Sequence, residues 1–130
     1  MKNLLILLLI TISLNIYSQR YLIGDSEDHL IDFFNQYDID YQINNGDNKT
    51  LYYYEEKNDY TGVYIENDTV KYIHIFPKNK EIRISYIQRF NKKLVIIDED
   101  SWLDYSDGRI YKYDLIYDSE NKLYLFTISI

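Results

Sequence analysis

Apolar residues along this chain follow three patterns: one continuous run, two helical periods and many short alternations. The continuous run comes first, from Leu4 to Leu14, interrupted only by Thr11 and Ser13. After Gly24 the spacing changes. Leu30, Phe33, Phe34 and Tyr37 recur at intervals of three and four, which predicts a helix over Asp25–Tyr37. Asp25 or Ser26 can cap its first turn, where Glu27 and Asp28 oppose the helix dipole. Ile82, Tyr86, Phe90 and Leu94 recur every four residues, with Ile87 beside them, which predicts a second helix over Asn79–Lys93. Alternation of Ile82, Ile84 and Tyr86 leaves a strand open for part of that segment.

The remaining segments alternate or are short and apolar. Strands are expected over Asp40–Ile43, Thr50–Glu56, Tyr60–Glu66 and Thr69–Phe76, then over Leu94–Asp98, Ser101–Tyr105, Arg109–Tyr117 and Lys122–Ile130. Turn residues separate them: Asn44-Asn45-Gly46-Asp47, Lys57-Asn58-Asp59, Asn67-Asp68, Ser106-Asp107-Gly108 and Asp118-Ser119-Glu120-Asn121. The two-residue Asn67-Asp68 link is a hairpin signature. The order helix, four strands, helix, four strands repeats with an offset of about fifty residues. At one common offset Leu51, Tyr54 and Tyr64-Ile65 fall against Trp102, Tyr105 and Leu115-Ile116. The expected fold is α+β: an antiparallel sheet of about eight strands with both helices on one face, built as an αββββ duplication.

That order, with Leu22-Ile23-Gly24 leading into an acidic helix start, resembles the two-repeat exported domains of the β-lactamase-inhibitor-protein type. It is also similar to the small domain of an outer-membrane assembly lipoprotein and to small exported proteins of Gram-negative bacteria. The resemblance implies binding or assembly outside the inner membrane and assigns no role to any residue. The chain departs from the first group in lacking disulfides and from the second in lacking a lipid-bearing cysteine.

Lys2, the apolar run and the small Ser18 before Gln19 have the three-part form of a secretory leader. The run, about eleven residues, is too short for the ~20-residue span of a bilayer. Residues 1–18 are therefore expected to be removed and residues 19–130 to form one domain in the periplasm or medium, without a stable membrane anchor. Without Lys2, the 14 basic residues become 13 against 21 acidic ones, a net charge of −8. Such a balance disfavours nucleic acid and anionic membranes, which reward clustered Lys and Arg. The chain has no cysteine, so no disulfide can brace it. It also has 16 tyrosines and no alanine, a composition that favours strands.

Few residues suggest chemistry. Asp98, Glu99 and Asp100, followed by Asp104 and Asp107, begin an oxygen-rich set, with Asp98, Asp100 and Asp104 as the metal candidates. The calcium-loop pattern fails at Trp102 and lacks its turn glycine, so a solvated loop is the better account. His29 lies among Asp25, Asp28 and Asp32, and His74 alternates with Ile73 and Ile75 on the other strand face. Neither has a nucleophile motif such as GxSxG nearby, and no glycine-rich loop could cradle phosphate. No cofactor and no enzymatic activity are expected.

Tyrosine is the remaining resource. Tyr52 and Tyr54 share one strand face, opposite to Tyr53, and Tyr111, Tyr113 and Tyr117 share another. If those faces are exposed, Tyr52, Tyr54, Tyr111 and Tyr113 make an aromatic surface rimmed by carboxylates. If they lie under the helices, the same rings fill the core, a common place for amphipathic tyrosine. The expected function is protein binding to another envelope or extracellular protein, through an aromatic, acidic sheet face. A carbohydrate-binding domain that stacks sugars on the same tyrosines is the alternative, and a small hydrolase stands behind both.

Overall fold

The structure is a computed structural model and describes residues 22–105 and 108–130. Helix α1 spans Glu27–Gln36 and helix α2 spans Lys80–Lys93. Four strands follow each helix. The first set is β1 (Gln42–Asn45), β2 (Lys49–Glu55), β3 (Asp59–Glu66) and β4 (Thr69–Pro77). The second is β5 (Val95–Asp98), β6 (Ser101–Asp104), β7 (Tyr111–Asp118) and β8 (Leu123–Ser129). The protein is thus α+β, with every strand pair antiparallel.

Both helices start at side-chain caps. The Ser26 hydroxyl accepts from the His29 amide at 3.3 Å, and the Asn79 side chain accepts from the Ile82 amide at 2.9 Å. Glu27 and Glu81 sit in the first turns, and Lys92 and Lys93 close α2, as the helix dipole favours. The segment over 80–93 is helical, because its apolar residues bury at a period of four. Tyr86 and Phe90 reach the core, and Ile82, Ile87 and Leu94 pack beside them.

Eight strands form one sheet in the order β1-β2-β3-β4-β8-β7-β6-β5. The last strand of each half meets the other at the centre, and the first strand of each half is an outer edge. Antiparallel partners point to the same face, so the register traces rows across the sheet. One row runs Ile43, Tyr52, Val63, Ile73, Ile128, Tyr113, Trp102 and Ile96. Phe34 of α1 meets Tyr52 and Tyr54 at 5.9 and 5.3 Å between ring centres. Phe90 of α2 meets Trp102 and Tyr113 at 5.4 and 5.1 Å. Both helices therefore cover the same face of the sheet.

The repeat is offset by one residue from its expected alignment in β2 and β3 against β6 and β7. Tyr52 pairs with Val63, and Trp102 pairs with Tyr113, so the two pairs match at an offset of fifty. Leu51 is on the opposite face from Trp102, because a one-residue slip in a strand reverses every side chain. The first strand also lies later than expected. Asn44 and Asn45 remain in the ladder against Leu51 and Thr50, and the turn forms beyond them. There the Gly46 amide donates to the Lys49 carbonyl at 2.8 Å, and Asn48 adopts a φ of 65°. Asparagine tolerates that left-handed conformation better than most residues. Asn67 and Asp68 do the same at 52° and 58°, making the expected tight hairpin.

Candidate functional site

The four tyrosines expected at a binding surface are in the core. Tyr52, Tyr54, Tyr111 and Tyr113 expose 3%, 4%, 1% and 0% of their surface. They occupy the helix-covered face, and the second of the two placements open in the sequence is the one found. Tyr52 donates its hydroxyl to Glu27 at the start of α1. Burial, followed by that carboxylate, raises its pKa, so the phenol stays neutral. These rings hold helices to the sheet and offer no partner a surface.

The acidic candidates do not converge either. Asp98 and Asp100 are exposed, and the Asp98 side chain accepts from the Asp100 amide at 2.9 Å, closing the β5–β6 turn. Asp104 is buried on the covered face, one residue beyond Leu103 on the open one. Among the described residues no group of three His, Cys, Asp or Glu side chains is placed to hold a metal ion. Ser106 and Asp107, part of the expected turn there, lie outside the described residues.

The uncovered face carries a different aromatic set. The Tyr64–Tyr72–Ser129 row and the Gly62–His74–Thr127 row cross the centre of the sheet, where the halves join. Tyr64 and Tyr72 stack at 4.6 Å with 29° between planes, and His74 stacks on Tyr72 at 5.3 Å with the same tilt. Phe76 meets His74 edge-on at 6.2 Å. A groove of about 720 Å³ opens here, lined by this cluster and by Ile116, Leu123, Leu125 and Thr127. That volume lies within the range of small ligand sites, roughly 300–1,000 Å³.

Gly62 contributes by having no side chain. A Cβ there would meet the Leu51 side chain at 3.2 Å and the Tyr64 ring at 3.6 Å. Its absence lets both lean across β3 beside His74. Leu125 is buried and forms an apolar lining residue on β8. Beside it the Thr127 hydroxyl is buried without a hydrogen-bond partner. Burying an unpartnered hydroxyl costs about 1–3 kcal/mol, a cost that an occupant with a polar group would relieve.

Electrostatically the groove is neutral in its centre and negative at one end. Burial lowers the pKa of His74, which favours the uncharged imidazole. Burial, then neighbouring Tyr72, raises the pKa of Tyr64. Asp118 lines the groove at the β7–β8 turn, where Asn121 donates to it from its side chain at 2.8 Å and from its amide at 3.2 Å. Those donors lower its pKa and fix a carboxylate at the rim. His29 stands elsewhere, exposed on α1 and 3.8 Å from Asp25.

Sequence reasoning missed Tyr64, Tyr72, Phe76 and Leu125 as site residues. The signal was present in the alternation of β4, where His74 falls opposite Ile73 and Ile75 and therefore beside Tyr72 and Phe76. No family model, curated protein or solved structure matches the chain. No helix among the described residues is long and apolar enough to cross a membrane.

Proposed function

We propose that this chain is an exported, non-enzymatic binding domain that docks another envelope or extracellular protein on its uncovered sheet face. The observation that carries the reading is the groove at the seam between the halves. Apolar and aromatic side chains line it, no helix among the described residues shields it, and the Thr127 hydroxyl within it lacks a partner. The occupant would present an apolar or aromatic side chain to Leu125 and Phe76, with a polar group reaching Thr127. Basic flanks would suit the Asp118 carboxylate at the rim and the net charge of −8 once Lys2 and the leader are removed. The two-repeat resemblance agrees with a binding role. The leader expected over residues 1–18 supports an encounter in the periplasm or the medium.

Sugar binding fits less well. Tyr64 and Tyr72 each turn one ring face toward the other, which closes those two faces to a pyranose. Hydrolysis fits least, because among the described residues Asp118 alone brings a carboxylate to the groove with His74, and it is engaged by its own turn. The test is cross-linking of the exported chain in its native envelope extract, beside variants Leu125→Lys and Tyr72→Ser. A basic or mixed-charge protein captured by the wild type and lost from both variants supports docking at the groove. Capture that survives both substitutions, or glycan retention with no protein captured, would overturn it.

A further inference from the structure

The two outer edges of the sheet differ in chemistry. Edge strand β1 presents Gln42, Ile43, Asn44 and Asn45. Edge strand β5 presents Val95, Ile96 and Ile97, which are 53%, 54% and 50% exposed. An apolar strand at a free edge is a template for pairing with another chain. Natural edges are often blunted, and β5 shows two such devices in its short length and the register break between Ile96 and Asp98.

The charges around β5 are arranged in a way that blunting does not require. Lys92 and Lys93 precede it, and Asp98, Glu99 and Asp100 end it. All five are exposed. A strand added antiparallel must therefore offer acid at one end and base at the other, in reverse order. The same segment from a second copy meets that requirement. Centred on Ile96, it sets Ile96 against its own counterpart and Val95 against Ile97. Lys92 and Lys93, the last residues of α2, then lie at the end of the segment where the other copy carries its acidic Glu99–Asp100 turn. A parallel copy would instead bring like charges together along the whole segment.

We infer that β5 is a self-association edge, at which a second copy of this chain adds antiparallel and joins the two sheets through a two-fold axis at Ile96. Such a contact is isologous and closes at two copies, because pairing uses up the β5 edge of both. The polar β1 edges remain at the two ends. Strands of four residues bury less than the roughly 1,000 Å² of a stable interface, so the dimer is reversible and concentration-dependent. This surface is separate from the groove, and neither proposal needs the other.

Analytical ultracentrifugation of the whole exported chain tests the inference from about 10 µM to about 1 mM, where an interface this small would operate. The expected result is a monomer–dimer equilibrium, with a mass that rises toward twice the monomer. Ile96→Lys should weaken association at least tenfold while leaving thermal stability unchanged, since Ile96 is half exposed. Lys92→Glu with Lys93→Glu, and separately Glu99→Lys with Asp100→Lys, should each be monomeric alone. An equal mixture of those two double variants should dimerise again, because each then offers what the other lacks. Tyr72→Ser, on the open face, should dimerise like the wild type. A wild type that stays monomeric throughout overturns the inference. So does dimerisation indifferent to Ile96→Lys, or a mixture that associates no better than its components.

Discussion

The two faces of this sheet use the same aromatic residues for opposite purposes. On the covered face Tyr52, Tyr54, Trp102, Tyr111, Tyr113 and Phe126 are buried, and the polar atoms of Tyr52 and Trp102 reach partners on the helices. The Trp102 indole nitrogen donates to Asn91 at 2.8 Å, and Tyr86 of α2 donates to the buried Asp59 carboxylate. On the open face Tyr53 and Tyr60 are 41% and 50% exposed, and Tyr64 and Tyr72 are half-buried, stacked on each other and beside His74. Composition alone therefore cannot say which tyrosines are exposed. The parity of each position within its strand does.

Substitutions can break this comparison, and the largest effects are expected where a helix meets the sheet. Phe90→Ala and Phe34→Ala each empty a fully buried ring site and should cost about 3–5 kcal/mol by urea unfolding. Tyr54→Ala and Tyr113→Ala should fall in the same range of roughly 3 kcal/mol or more. A loss below about 1 kcal/mol for those two would place them on a surface.

The Tyr86–Asp59 contact comes next. Burial raises the Asp59 pKa, while hydrogen bonds from Tyr86 and Thr61, and then Lys78, act to lower it. Tyr86→Phe removes one donor and leaves the carboxylate oxygen in the core. Stability should fall by about 1–3 kcal/mol at neutral pH, and the deficit should shrink as acid protonates Asp59. A deficit that stays constant as the pH is lowered would mean that only ring packing had changed.

Smaller effects are expected on the open face. Tyr72→Ser and Tyr53→Ala should each change stability by no more than about 1 kcal/mol, in contrast to their covered neighbours. His74 adds a pH signature. Its folded pKa lies below the ordinary 6.5, so as acid is added the unfolded chain takes up the proton first. The stability that His74 contributes is complete above that value and is lost as the pH falls through the folded pKa. Thermal melts between pH 8 and pH 5 should therefore show a decline that His74→Phe makes shallower. An unchanged slope in the variant would remove His74 from the buried part of the groove.

Much of the architecture was legible in local pattern. Element order, the cap of the first helix and the Asn67-Asp68 hairpin follow from spacing and from residues with strong backbone preferences. The expected sheet of eight antiparallel strands is the one observed. What local pattern could not supply was the side of the sheet to which each strand turns. Tyr52 and Tyr53 are chemically identical, and only the arrival of Phe34 beside Tyr52 decides between them. The groove depends on rows through β3, β4 and β8, whose members lie up to 65 residues apart, as Tyr64 and Ser129 do. Asp104 shows the same limit: within an acidic stretch it reads as solvated, yet strand parity turns it into the core.

Tyrosine nitration followed by peptide mass spectrometry tests the division between the faces most directly. On the native chain Tyr53 and Tyr60 should be modified readily, whereas Tyr52, Tyr54, Tyr111 and Tyr113 should react only after unfolding. Modification of Tyr111 or Tyr113 at the rate of Tyr53 in the folded protein would contradict the account.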